Sequence, residues 1–261
     1  MSVLDQFRLR GKCALITGSS RGLGKEMAKA LLEAGADVII TGRNQTTIDK
    51  TIAELQEIGP KIDGVVADLG NPEECQETFK ELAEGRIGNF DILINNVGGR
   101  TSPDQTEDLT LEQWQAAIDL NLTHCFLGTK IFGKKMIERG EGGRIINIAS
   151  MNAYVSNRGI GGRSYETSKA AMVQFTRATA ADWAPYGITA NAICPGLFMT
   201  DANVEWNKTK PEVIEQMTSS TPMGRAGNPP ELGGLIVYLA SDASSYMTGA
   251  SLVIDGGYTL W

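Results

Sequence analysis

Apolar residues along this chain gather in seven short, β-branched runs: CALIT (13–17), DVIIT (37–41), DGVVA (63–67), DILIN (91–95), RIINIA (144–149), ITANAI (188–193) and SLVI (251–254). Longer stretches with apolar residues at helical spacing separate them, so the chain reads as repeated strand–helix alternation. The runs are almost wholly apolar instead of alternating with polar residues, as expected where helices cover both faces of a parallel sheet. The predicted fold class is therefore α/β, a doubly wound parallel sheet with helices on both faces. No internal repeat, low-complexity tract or Pro/Gly/Ser-rich linker interrupts the 261 residues, which predicts a single domain over 1–261. In such folds ligands bind beyond the carboxyl ends of the strands, so the residues after each run are the ones to search.

The first run leads into Thr17-Gly18-Ser19-Ser20-Arg21-Gly22-Leu23-Gly24 and then KEMAKALLEAG, a helix of good formers that Gly35 is placed to stop. Glycines between a strand and a helix let the backbone approach a pyrophosphate, whose charge is favoured by the unpaired N–H groups of the helix start. The spacing is GxxxGxG, which makes Gly18, Ser20, Arg21, Gly22, Leu23 and Gly24 candidate phosphate contacts of a Rossmann-type domain.

Further motifs follow in order: Asn95-Asn96-Val97-Gly98 after the fourth run, Asn121 in a helical stretch, Ser150 closing the fifth strand, Tyr165-Glu166-Thr167-Ser168-Lys169 as YxxxK, and Pro195-Gly196 with Thr200 as PGxxxT. Together with TGxxxGxG they span roughly residues 10 to 258 and resemble the short-chain dehydrogenase/reductase family, most of all its sugar and sugar-acid (gluconate-type) dehydrogenases. The resemblance implies a nicotinamide-dependent oxidoreductase that interconverts a secondary alcohol and a carbonyl. It implies a cofactor half over about 10–120, a catalytic and substrate part over about 121–261, and a lid over about 197–220. By the same resemblance Asp68 accepts from the adenine amino group with Leu69 beside it. Asn95, Val97, Gly98, Tyr165, Lys169, Pro195, Gly196 and Thr200 line the cofactor, and Asn121 holds a water chain to Lys169. Val97 stands where the family has Ala, and the segment between Ser150 and Tyr165 is longer than usual.

Tyr165 and Lys169 are four apart in a segment that reads as a helix, so both project from one face. A free phenol titrates near ~10, and an adjacent ammonium favours the phenolate, so Lys169 is expected to lower the Tyr165 pKa. A tyrosine tuned in this way can take the alcohol proton or return it, and Ser150 would donate to the reacting oxygen. No acid stands at the tip of the second strand, Thr41-Gly42-Arg43-Asn44. Arg43, with Arg21, is placed to meet a 2′-phosphate, which favours NADP(H) with NAD(H) also possible.

Arg100, Arg158 and Arg163 lie in loops at the catalytic end, with Asn152 in the extended segment. Arginine forks suit carboxylates, sulfonates and phosphates, so the three arginines are candidate contacts for a small anionic substrate, and Asn152 is a candidate substrate contact by its place in the extended segment. Asn203, Glu205, Trp206 and Asn207 in the lid suit a polyhydroxylated one. The leading expectation is oxidation of a sugar, aldonate or sulfonated sugar. The alternatives are a 3-oxoacyl carrier-protein reductase and, from another class, a nucleotide-sensing protein without turnover, against which the intact Ser150, Tyr165 and Lys169 speak.

Composition narrows the remaining classes. A net charge of −7 argues against nucleic-acid binding, and the lone His124 against a histidine metal site or a Ser/His/Asp triad. The four cysteines form no CxxC pair and read as reduced, buried thiols. No stretch approaches the ~20 apolar residues of a spanning helix and no signal segment is legible, so a cytoplasmic protein is expected. Apolar positions on several faces of the Tyr165 helix (Ala170, Met172, Val173, Phe175, Ala178) need a partner, and the family resemblance implies a homotetramer, with Trp261 placed to reach a neighbour.

Overall fold

A computed structural model of the chain describes residues 2–85, 89–157 and 160–260. Each of the seven apolar runs is a strand: β1 (Cys13–Ile16), β2 (Asp37–Gly42), β3 (Ile62–Val66), β4 (Ile92–Asn95), β5 (Gly143–Ile148), β6 (Ile188–Pro195) and β7 (Ser251–Ile254). They form one sheet in the order β3-β2-β1-β4-β5-β6-β7, with every pair parallel. The helices are α1 (Gly22–Glu33), α2 (Gln45–Leu55), α3 (Pro72–Glu84), α4 (Leu111–Ile118), α5 (His124–Arg139), α6 (Arg163–Trp183), α7 (Asp201–Thr209), α8 (Pro211–Ser219) and α9 (Gly233–Ala240). None of the described helices is long and apolar enough to cross a membrane.

Strand periodicity sorts the core into two layers. Ile16, Ile40, Ile94, Ile146 and Ile193 face one side, packed with Met27 and Leu31 of α1 and Ile236 and Leu239 of α9. Their neighbours Leu15, Ile39, Leu93 and Ile145 face the other side, with Cys75 and Phe79 of α3 and Phe132 and Met136 of α5. Phe132 takes the rings of Phe79 and Phe90 edge-on at 5.3 and 5.2 Å. A smaller cluster of Cys125, Met172, Val173, Ala192 and Cys194 seats α6 against the sheet. Cys75, Cys125 and Cys194 are buried free thiols and Cys13 is partly buried, so burial raises the pKa of all four.

Strand order reverses between β1 and β4, and this switch point opens a crevice at the carboxyl ends. The register makes those ends level: Ile16 pairs with Ile94, Asn95 with Asn147, and Ile148 with Ile193. Thr17, Asn96 and Ala149 therefore leave the sheet at one level, while β6 runs on to Pro195. α1 stops as its sequence predicts: Gly35, at φ +97°, turns the chain so that its N–H and that of Ala36 donate to Leu32 and Leu31. Between α4 and α5 the backbone widens into a π turn, Asp119–Thr123, with Asn121 buried inside it.

Candidate active site

The crevice is a cleft of about 650 Å³, and the glycine turn forms one wall. Gly18 and Gly22 both adopt left-handed backbone, φ 61° and 57°, which L side chains rarely tolerate. The turn is tied to its surroundings at several points. The Ser19 hydroxyl donates to the Ile16 carbonyl at 2.6 Å, Gly18 N–H donates to the Thr41 hydroxyl at 3.0 Å, and Asn96 Nδ2 donates to the Thr17 and Gly18 carbonyls at 2.9 and 3.0 Å. Arg21, at the N-cap of α1, makes no side-chain cap bond, so the first-turn N–H groups are left for an external acceptor.

The same cleft is lined by Ser20, Leu23, Gly24, Arg43, Asp68, Leu69, Val97, Gly98, Ser150, Tyr165, Lys169, Pro195, Gly196 and Thr200. Arg21 and Arg43 are exposed on its rim. Neither side chain has a hydrogen-bond or ion-pair partner among the described residues. The cleft thus offers unpaired helix N–H groups at one point and uncommitted guanidinium groups at another, a donor set that fits a phosphorylated dinucleotide.

Asn95 is a correction. As the last residue of β4 it shares the face of Leu93, so its amide points into the protein and donates to Asn147 at 2.8 Å and to Thr129 at 3.3 Å. Asn96, one residue on and free of the strand's alternation, is the asparagine that lines the cleft. Asn147 in turn donates to Thr176 at 2.8 Å, so this buried network ties β4, β5 and α6 together.

Ser150, Tyr165 and Lys169 meet on the opposite wall. The Lys169 ammonium is buried, donates to the Ile148 carbonyl at 2.8 Å and lies 5.8 Å from the centre of the Tyr165 ring. Burial pushes its pKa down to about 8. Asn121 is held through Gly99: its Oδ1 accepts from Gly99 N–H at 2.9 Å, while Nδ2 donates to the Gly99 and Ala117 carbonyls at 3.0 and 2.9 Å. Gly98 passes between Asn121 and Lys169 so closely that a β-carbon there would lie 2.7 Å from Asn121 Oδ1 and 2.8 Å from Lys169 Nζ.

Burial works against the expected lowering of the Tyr165 pKa by Lys169. It raises that pKa, and the influences that oppose burial are a hydrogen bond with Ser150 and the charge of Arg100. The Arg100 guanidinium carbon lies 4.9 Å from the ring centre, closer than the Lys169 ammonium at 5.8 Å. The buried His124 is pushed down to about 3, by burial first and then by Lys169, so it stays neutral. Among the described residues no group of three His, Cys, Asp or Glu is placed to hold a metal ion.

The expected substrate arginines are not free forks. Arg100 Nη2 bonds Glu166 at 3.2 Å, and Arg163 Nη1 spans both Glu166 oxygens at 2.8 and 2.9 Å. Glu166 also accepts from the Ser156 hydroxyl at 2.6 Å. Burial alone would raise the Glu166 pKa, but these donors outweigh it and hold the carboxylate ionised. Asn152 is buried, donates to the Val155 carbonyl at 3.1 Å and accepts from Arg100. None of Arg100, Asn152 and Arg163 lines the cleft; Arg158 lies outside the described residues, as does Trp261. The lid segment forms α7 and α8, in which Asn203 donates to the Phe198 carbonyl and Glu205 pairs with Lys208. Glu166 itself was missed, although its i,i+3 spacing from Arg163 at the start of a helix was a readable signal.

Comparison with known proteins agrees with this architecture over the whole chain. A family profile described as enoyl-(acyl carrier protein) reductase matches residues 18–259. Galactitol 2-dehydrogenase (L-tagatose-forming) of Cereibacter sphaeroides is 37% identical over 258 residues, covering 98% of each chain. A 3-oxoacyl-(acyl-carrier-protein) reductase of Synechocystis sp. is 36% identical over 255 residues, covering 97% of this chain and 99% of the other. The solved structure of a gluconate 5-dehydrogenase from Burkholderia cenocepacia J2315, in complex with NADP and tartrate, is 34% identical with a TM-score of 0.89 and covers 100% of both chains. The chain belongs to the short-chain dehydrogenase/reductase family and is an oxidoreductase acting on CH–OH groups.

Proposed function

We propose that this protein is an NADP(H)-preferring dehydrogenase that oxidises a secondary alcohol of a small polar sugar or sugar acid, of the gluconate or sulfonated-sugar type, with Tyr165 as the acid–base group. The observation that carries this reading is the convergence of Ser150, Tyr165 and Lys169 on the same cleft as the uncommitted Arg21 and Arg43. The bound nicotinamide supplies the hydride acceptor. Tyr165 takes the alcohol proton, and Ser150 donates to the reacting oxygen and holds the carbinol carbon in place. Lys169, fixed by the Ile148 carbonyl, would hold the cofactor ribose, and Asn121 accepts from Gly99 N–H in the neighbouring loop.

Burial keeps the proton on Tyr165 at neutral pH, so the phenol is in its donor form there and alcohol oxidation accelerates as pH rises. Arg21 and Arg43 bind the 2′-phosphate, and Asp68, Leu69, Val97, Gly98, Pro195, Gly196 and Thr200 line the rest of the cofactor. The names of the galactitol and gluconate relatives support the sugar class. With Arg100 and Arg163 committed to Glu166, the arginine loops no longer do.

Phe126 of α5 is 44% exposed and meets the ring of Phe175 of α6 edge-on at 6.2 Å. That partly exposed apolar pair supports a homotetramer built on these two helices; a sedimentation mass of one or two chains would contradict it.

The test is reduced-cofactor formation with NADP and with NAD across D-gluconate, galactitol, carboxylated and sulfonated sugars, with 3-oxoacyl reduction run beside it. Selective oxidation of a sugar acid or sulfonated sugar with NADP is expected. Activity confined to the 3-oxoacyl substrate would replace this reading with the reductase one.

A further inference from the structure

The loop after β4 places Arg100 against the ring of Tyr165. Its guanidinium is fixed at both ends. Nη1 donates to the Gly161 and Gly162 carbonyls at 2.6 and 3.1 Å, and Nη2 donates to Glu166 Oε1 at 3.2 Å and Asn152 Oδ1 at 3.4 Å. A planar group held by that many acceptors has little freedom to swing toward a ligand, and its charged centre stays 4.9 Å from the Tyr165 ring centre.

The long segment between Ser150 and Tyr165 supplies most of this frame. It ends in Gly161 and Gly162, and Gly162 adopts φ +84° as the N-cap of α6. A β-carbon on Gly162 would lie 2.5 Å from the Ser102 carbonyl and 3.3 Å from Arg100 Nη1, so the backbone itself presses against the arginine. Glu166, one residue beyond Tyr165, anchors the other end, and Arg163 and Ser156 orient that anchor.

We propose that Arg100 is a positioning residue for the acid–base tyrosine: clamped by Glu166 and the Gly161–Gly162 carbonyls, it sets the angle of the Tyr165 ring and adds a fixed positive charge that favours its phenolate. This rests on the reading of Tyr165 as the acid–base group and adds to it the origin of its charge balance.

The groups facing Tyr165 come from four elements. Lys169 on α6 lies 5.8 Å from the ring centre, and burial lowers its pKa. Glu166, also on α6, opposes the phenolate, and the Cys194 thiol on β6 is pushed up to about 11 and is uncharged below that pH. Ser150, after β5, contributes a hydrogen bond. A guanidinium keeps its charge throughout the range in which a phenol ionises, so Arg100, 4.9 Å from the ring centre, adds a fixed positive charge to that of Lys169.

The experiment is an ultraviolet difference titration of tyrosinate in the NADP-loaded enzyme, with the Y165F enzyme subtracted to isolate Tyr165. R100Q keeps an amide donor for the loop carbonyls but has no charge, R100K keeps the charge, and R100M lacks both. R100Q is expected to move the Tyr165 titration upward by about one pH unit, and R100M at least as far, because an opposite charge at ~4–6 Å lowers a pKa by about that much or more. R100K is expected to stay near wild type. If R100Q fails to fold, R100M against R100K carries the same comparison. An uncharged variant that titrates with wild type, or R100K moving as far as the uncharged variants, would overturn the proposal. The titration needs no substrate, so its failure is distinct from failure of the acid–base reading, which would show as a Y165F enzyme that still oxidises alcohols.

Discussion

Two pairs of guanidinium groups lie at and behind the cleft, and they differ in exposure and in their partners. On the nucleotide side Arg21 and Arg43 are exposed and uncommitted, Arg21 on a turn whose shape is fixed by Gly18, Gly22 and the buried hydroxyls of Ser19 and Thr41, and Arg43 just after β2. On the catalytic side Arg100 and Arg163 are partly buried and closed onto one carboxylate, Glu166. The first pair is available to a ligand because the backbone needs nothing from it. The second is part of the architecture that holds Tyr165, so its charge acts on the protein's own phenol. An arginine near an active site is thus informative only once its partners are known.

The largest expected effect that separates the regions is on stability. E166A leaves Arg100 and Arg163 facing each other without their counter-charge and is expected to cost about 2–4 kcal/mol, at or below the range for breaking a buried pair because both arginines retain solvent contact. A denaturant midpoint shifted by that amount, with NADP affinity unchanged, would sharpen the contrast; an unshifted midpoint would break it. The nucleotide side should respond in the opposite manner. R43D is expected to leave the midpoint alone and to lower the NADP/NAD ratio of kcat/KM at least tenfold, from roughly 1.5–3 kcal/mol for a lost charged contact. An unchanged ratio would remove Arg43 from cofactor selection.

The same contrast explains what the sequence made legible. The seven strands and the glycine turn follow from local rules: β-branched runs, a positive-φ requirement and a helix stop at Gly35. Ser150, Tyr165 and Lys169 were legible because strand ends and one helix face carry them to the same edge. Asn95 was misread by one position, since its parity with Leu93 turns it into the core and hands the cleft to Asn96. The role of Arg100 depends on Gly161 and Gly162, whose carbonyls arrive some sixty residues later, and local pattern carries no trace of that pairing. The π turn around Asn121 is likewise invisible, because a widened backbone hydrogen-bond ring leaves no mark in residue type.

The central claim is that Tyr165 carries the proton. Its most direct test is the rate of NADP reduction by Y165F on the best substrate of the sugar and sugar-acid panel, at saturating cofactor. A fall in kcat of about 10²–10⁴-fold with NADP binding intact is the expected result, the range for loss of a positioned acid–base group. A Y165F enzyme turning over at the wild-type rate would contradict the account.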